Sequence, residues 1–164
     1  MVIESERISW PEYFMGIARY SAKMSTCLRR HIGAVAVRGK RIIATGFNGQ
    51  VPGAPHCRSC VREEMNIPSG QRSELCRVVH AEQNLIIQAA IYGISLVGAD
   101  IYVTTKPCET CLKMLLSLNP GNIFYENDYP NTLFDMIIAD TEMIVSVNED
   151  SGFFCITRKG EYGS

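Results

Sequence analysis

The sequence predicts an α/β fold, a mixed sheet flanked by helices, and three features predict it. Two β-branched runs, GAVAV and RIIATGF, stand either side of Arg38-Gly39-Lys40, the pattern of an antiparallel hairpin. Two stretches of good helix formers, HAEQNLIIQAAIYG and CETCLKMLLSLN, are separated by the strand-like ADIYVTT, and the second is followed by NIFYE. Helices and strands alternating in this way imply a right-handed crossover, so the strands at IYVTT and NIFYE are expected to be parallel.

The elements follow in order. Ser9, with Glu12 three positions later and Pro11 in the first turn, marks a helix start, and a helix is predicted over about 10–23 with Tyr13, Ile17 and Tyr20 as its core-facing stripe. The hairpin comes next and ends in GFNG, where Gly46 and Gly49 allow a sharp turn and Asn48 suits either a turn or a ligand contact. From Gln50 to Val79 the chain is rich in Pro, Gly, Cys and Arg, with only a short helix expected near 61–65. The two long helices are closed by Gly93 and by Pro120-Gly121. A loop, a short helix around 132–139 and one or two terminal strands complete the chain, with Cys155 packed among apolar neighbours.

The 164 residues suit one domain, 1–164, with a Cys-rich insert at about 50–79. A hydrophobic fraction of 46% and a charged fraction of 20% can bury a real core, and a net charge of -1 offers no large electrostatic footprint for nucleic acid. No apolar run is long enough to span a bilayer, and MVIESERISW lacks the regions of a signal peptide, so a cytoplasmic protein without membrane or nucleic-acid partners is expected. Seven cysteines in a reducing compartment point to metal ligation rather than disulfides.

The chemistry concentrates between His80 and Cys111. His80, Cys108 and Cys111 offer one nitrogen and two sulfurs, the three protein ligands of a catalytic zinc whose fourth position is left for water. Cys108 and Cys111 fall at a helix start, where backbone N–H groups favour thiolates, and Pro107 suits the entry. A zinc held there lowers the pKa of its water toward neutrality. Glu82, two residues after His80, is then the proton carrier and must stay off the metal. The alternative for this group is a closed zinc ribbon, against which stand the Glu and the single CxxC of the block.

A loop as long as 50–79 is functional or fastened. Cys57 and Cys60 form a second CxxC, Cys76 lies four before His80, and Cys27 follows the first helix; four thiols of this kind close a structural zinc site, with His56 able to substitute for one. Ordinary buried thiols or a redox pair are the alternatives.

The H-x-E and P-C-x-x-C pair resembles the signature of zinc-dependent nucleobase deaminases. IGAVAV, RIIATGFNG, HAEQN, IYVTTKPCETC and IFYENDYP, in this order and over most of the chain, resemble the deoxycytidylate deaminases, including the bacterial competence-operon type. The resemblance implies a three-layer cytidine-deaminase-like fold with a five-stranded sheet, and hydrolysis of dCMP to dUMP and ammonia in the supply of thymidylate. It places His80, Cys108 and Cys111 on catalytic zinc, Glu82 as proton shuttle, Asn48 on the sugar, the backbone near Ala81 at the base edge and Tyr129 on the pocket wall. Some relatives carry a second zinc, for which Cys27 and Cys57 match in position, while Cys60 and Cys76 are added by chemistry. Relatives are commonly homohexamers, activated by dCTP with Mg2+ and inhibited by dTTP through a site near GFNG.

There is one departure. Where some relatives have a phosphate-binding Arg after the AA of the first long helix, this chain has Ile91, so the phosphate needs another cation. Arg29, Arg30, Arg72 and Arg77 are the candidates, each also readable as a solvated or structural Arg. The competing functions are a tRNA adenosine, free cytidine or riboflavin-pathway deaminase, and a non-catalytic zinc module that binds nucleotides. A basic RNA-binding surface would mark the first, and a dispensable Glu82 the last.

Overall fold

The computed structural model describes residues 7–160, so most of the stretch in which no signal peptide was read lies outside the described residues. β1 (Gly33–Arg38) and β2 (Arg41–Phe47) form the expected hairpin. Gly39 (φ 54°) and Lys40 (φ 61°) both adopt the left-handed conformation that a two-residue turn of this twist requires. β3 (Asp100–Thr105) and β4 (Ile123–Asn127) pair in parallel, as the crossover argument predicts. β5 (Met143–Val147) and β6 (Phe154–Arg158) are antiparallel to each other, and β6 is antiparallel to β4.

The sheet order is β2-β1-β3-β4-β6-β5, six strands instead of the expected five. The added strand, β5, lies at the edge and alternates between covered and exposed residues, so only half of its side chains carry a burial signal.

Helices cover both faces. α1 (Trp10–Ala22) lies on one, and α3 (Ala81–Ile91), α4 (Glu109–Ser117) and α5 (Phe134–Ala139) pack against the other. Alternation along the strands divides the core between them. Val35, Val37, Tyr102 and Phe124 meet Phe14, Met15 and Ala18 of α1, while Ala34, Ala36, Ile101, Val103 and Ile123 meet Leu85, Leu112 and Leu115 of α3 and α4. Each of those three leucines is fully buried and contributes about 1.5–3 kcal/mol by leaving water.

α1 begins as expected: the Ser9 hydroxyl accepts from the Glu12 N–H at 3.3 Å. Its buried face differs from the predicted stripe. Tyr13 and Tyr20 are exposed, Ile17 is half-buried, and Phe14, Met15, Ala18 and Ala22 are the residues turned to the sheet. The small alanines allow close contact: a Cβ on Gly33 would lie 1.9 Å from the Ala18 carbonyl oxygen.

The Cys-rich segment contains α2 (Val61–Glu64) and a 3-10 turn at Ser73–Leu75. It is tied back to the hairpin by a bridge between Gly49 and Val79, whose backbone bonds measure 3.1 and 2.8 Å. That bridge sets Asn48 beside His80 before α3 begins.

Candidate active site

α3 and α4 point their N-termini at one cleft, and the two helix starts carry the reactive groups. His80 is the residue before α3, with its N–H donating to Gln83 Oε1 at 2.9 Å. Cys108 holds the same place before α4, and Cys111 lies one turn in. His80 Nδ1 stands 3.4 Å from Cys108 Sγ and 3.5 Å from Cys111 Sγ. The three ligand atoms lie within 4.8 Å of one another, the sole group of three or more His, Cys, Asp or Glu ligands so gathered among the described residues. One imidazole nitrogen and two sulfurs with no fourth protein donor fit a catalytic zinc.

The electrostatics suit thiolate ligands. The Cys111 S–H and His80 pull the Cys108 thiol down to about 4 against its burial. The same bond to Cys108, together with burial, pushes Cys111 up, and the Cys108 thiolate raises His80. Glu82 is 4% exposed, and burial pushes its carboxyl up to about 7 against the pull of its own backbone N–H and of His80. A carboxyl poised near neutrality gives and takes a proton with little bias.

The cleft, counted with its opening to solvent, spans about 650 Å³. His80, Glu82, Cys108, Asn48, Arg29, Arg30 and Tyr129 line it, so the structure brings together most of the residues singled out in the sequence. Ala81 is fully buried beneath this wall and Cys111 fully buried behind the thiolate. Arg30 lies 5.0 Å from the centre of the Tyr129 ring, and the Tyr129 hydroxyl accepts from the Gly70 N–H at 2.9 Å, which joins the Cys-rich segment to the rim.

Other expected residues fall elsewhere. Arg72 is exposed and paired with Glu74. Arg77 lines a second, smaller cavity, and Ile91 is exposed on α3 away from the cleft. Cys27, Cys57, Cys60 and Cys76 all line that second cavity, and three of them, Cys27, Cys60 and Cys76, also reach the cleft. Four thiols are a suitable donor set for structural zinc, but no three of these sulfurs lie within the 4.8 Å that gathers the His80 group. Gln50 Nε2 donates to Cys57 Sγ at 2.7 Å. His56 is exposed and lines neither cavity.

Arg62, Lys106 and Ser69 also line the cleft and were missed in the sequence. Lys106 was findable, since it directly precedes Pro107-Cys108. Arg62 was not, because the VREE of the expected short helix carries no sign that one of its charges is buried.

Comparison with known proteins agrees with this geometry. Residues 8–127 match the family described as the cytidine and deoxycytidylate deaminase zinc-binding region. The chain is 39% identical over 126 residues to ComE operon protein 2 of Bacillus subtilis, covering 76% of this chain and 62% of that protein. It is 39% identical over 127 residues to the deoxycytidylate deaminase of Schizosaccharomyces pombe, covering 75% of this chain and 38% of that protein. This chain therefore spans less than two thirds of either relative's length. The crystal structure of dCMP deaminase from cyanophage S-TIM5 in complex with dCMP and dUMP superposes with a TM-score of 0.66 at 29% identity, over 78% of this chain and 88% of that one. With the six-stranded α/β sheet and the His-Cys-Cys cluster at paired helix starts, these matches make the chain a member of the cytidine and deoxycytidylate deaminase family.

Proposed function

We propose that this protein hydrolyses dCMP to dUMP and ammonia. The observation that carries the reading is the placing of buried Glu82 beside the His80, Cys108 and Cys111 cluster at the floor of a cleft walled by arginines. The cyanophage enzyme of similar fold, which binds dCMP and dUMP, supports the same substrate.

His80, Cys108 and Cys111 would hold a zinc ion, which when bound would supply Lewis acidity and lower the pKa of a water toward neutrality. Glu82 takes the proton of the attacking water and delivers it to the ring nitrogen next to the amino-bearing carbon. Glu82 then takes the proton of the newly added hydroxyl and passes it to the amine, so that the carbonyl forms as the C–N bond breaks and ammonia leaves. Asn48 and the backbone beside Ala81 hold sugar and base, Tyr129 covers the open side, and Arg29 and Arg30 face the phosphate.

Cys27, Cys57, Cys60 and Cys76 would hold a second, structural zinc in this reading, which rests on the four-thiol donor set and the cavity they share, although no three of the sulfurs lie within 4.8 Å of one another here. Activation by dCTP with Mg2+, inhibition by dTTP and a homohexamer follow from the resemblance, and a cytoplasmic setting from the sequence reading. No helix among the described residues is long and apolar enough to cross a membrane.

The test is loss of cytosine absorbance on incubating zinc-loaded protein with dCMP, deoxycytidine, CMP and dCTP in parallel. Rapid turnover of dCMP alone is expected. Silence on all four overturns the reading. For the regulation, dCMP saturation curves that do not shift with dCTP and Mg2+ or with dTTP remove it.

A further inference from the structure

We propose that Arg62 reads the phosphate of the substrate, so that the Cys-rich segment supplies the charge that separates a nucleotide from a nucleoside. This rests on the nucleoside-monophosphate reading above.

Arg62 is 7% exposed, and among the described residues no carboxylate pairs with it; the ion pairs there belong to Arg19, Arg72 and Lys106. Glu74 feels this charge but is paired with Arg72, so the buried guanidinium lacks a direct carboxylate partner, which is costly, and a loop clamp alone needs no buried charge. Its Nη2 donates to the Gln71 carbonyl at 2.6 Å and the Pro68 carbonyl at 3.4 Å, which fixes the planar fork against one loop. Its Nε is buried and has no partner.

The same loop holds a second guanidinium. Arg29 Nη2 donates to the Ile67 carbonyl at 2.9 Å and to Ser69 Oγ at 3.4 Å, and Arg29 Nη1 is again buried without a partner. Of the three buried side-chain polar atoms left unpaired among the described residues, two are therefore guanidinium nitrogens of this cleft. Glu82, at the catalytic floor, is the one acidic residue among those that line it. Two cleft-lining guanidinium groups, each held by one loop and each with an unpaired nitrogen, suit a phosphate monoester, which carries nearly two negative charges at neutral pH and accepts several N–H donors. Arg62 lies in the segment between the hairpin and α3, so the insert adds a cation to Arg29 and Arg30 where the α3 position is occupied by Ile91.

The experiment compares zinc-loaded wild type, R62Q and R62K on dCMP and on deoxycytidine, with inorganic phosphate titrated as a competitor. In R62Q the ratio of kcat/KM for dCMP to that for deoxycytidine is expected to fall about 10- to 100-fold, carried by KM, as for loss of one charge-assisted contact. Phosphate inhibition weakens by a similar factor, and R62K, which keeps the charge without the fork, falls between. Equal losses on both substrates with unchanged phosphate inhibition overturn the proposal and leave the dCMP reading standing. A wild type inactive on dCMP overturns that reading instead, and calorimetric titration of wild type and R62Q with inorganic phosphate then decides Arg62: weaker binding in R62Q supports it, equal binding overturns it. If R62Q does not fold by circular dichroism, R62K carries each comparison.

Discussion

Asn48 holds Arg30 from behind: its Nδ2 donates to the Arg30 carbonyl at 2.8 Å while its Oδ1 accepts from the Ile32 N–H at the same distance. The backbone N–H of Asn48 also donates to the Ile32 carbonyl at 3.2 Å, so one residue stitches the end of β2 to the segment entering β1. Asn48 is 5% exposed, and its two partly buried backbone partners lose their bond if the amide is removed. Asn48→Ala should cost about 1–3 kcal/mol of stability. It should also weaken nucleotide binding, because Arg30 is positioned through this stitch. Urea denaturation checks the first effect, and an unchanged midpoint would remove the stitch from the account.

Gly33 and Gly46 are close-approach glycines of different consequence. A Cβ on Gly33 would meet α1, and a Cβ on Gly46 would lie 2.2 Å from the Ala81 carbonyl oxygen and 2.7 Å from the Leu85 nitrogen of α3. Both contacts are with backbone, so a helix has to move. Gly33→Ala and Gly46→Ala should each lower stability by about 1–3 kcal/mol or more. Only Gly46→Ala moves the helix that follows His80 and carries Glu82. Activity per folded molecule, measured below the melting transition, should therefore fall further in Gly46→Ala; equal activities would contradict the placing of α3.

The parts of this fold legible in the sequence were those with dense local signal. GAVAV and RIIATGF around a Gly39-Lys40 turn, and helix starts at His80 and Cys108, combine turn chemistry, periodicity and ligand spacing within a few residues. The buried face of α1 was not legible, because Tyr13 and Tyr20 share helical spacing with Ile17 while the real contact uses Ala18 and Ala22, whose small side chains carry a weak hydrophobic signal. Arg62 was hidden for another reason. Its burial is set by carbonyls six and nine residues on, in a loop whose path no periodicity encodes.

Glu82→Gln separates proton transfer from binding. The amide keeps the shape and most of the contacts of a 4% exposed side chain but cannot carry the proton. Turnover should fall by about 10²–10⁴-fold, the usual contribution of a positioned acid–base group. Zinc content and dUMP affinity should be preserved. Activity within a few-fold of wild type would sink the mechanism and favour a binding module.

Cys76→Ser tests what fastens the Cys-rich segment. That segment has only a four-residue helix and a 3-10 turn of its own, and Arg62, the Gly49–Val79 bridge and the Tyr129–Gly70 bond hold it at separate points. If Cys27, Cys57, Cys60 and Cys76 bind zinc, the wild type holds two zinc ions per chain and Cys76→Ser holds one, since His80, Cys108 and Cys111 are untouched. Loss of an ion bound well above its dissociation constant should lower Tm by roughly 5–10 °C. Cys155→Ser is the control: Cys155 packs in the core against Phe124 and Phe153, so it should lower stability without changing the metal count. Elemental analysis of the three purified proteins gives the answer. Equal zinc in wild type and Cys76→Ser would exclude Cys76 from a metal site and leave the segment held by its hydrogen bonds alone.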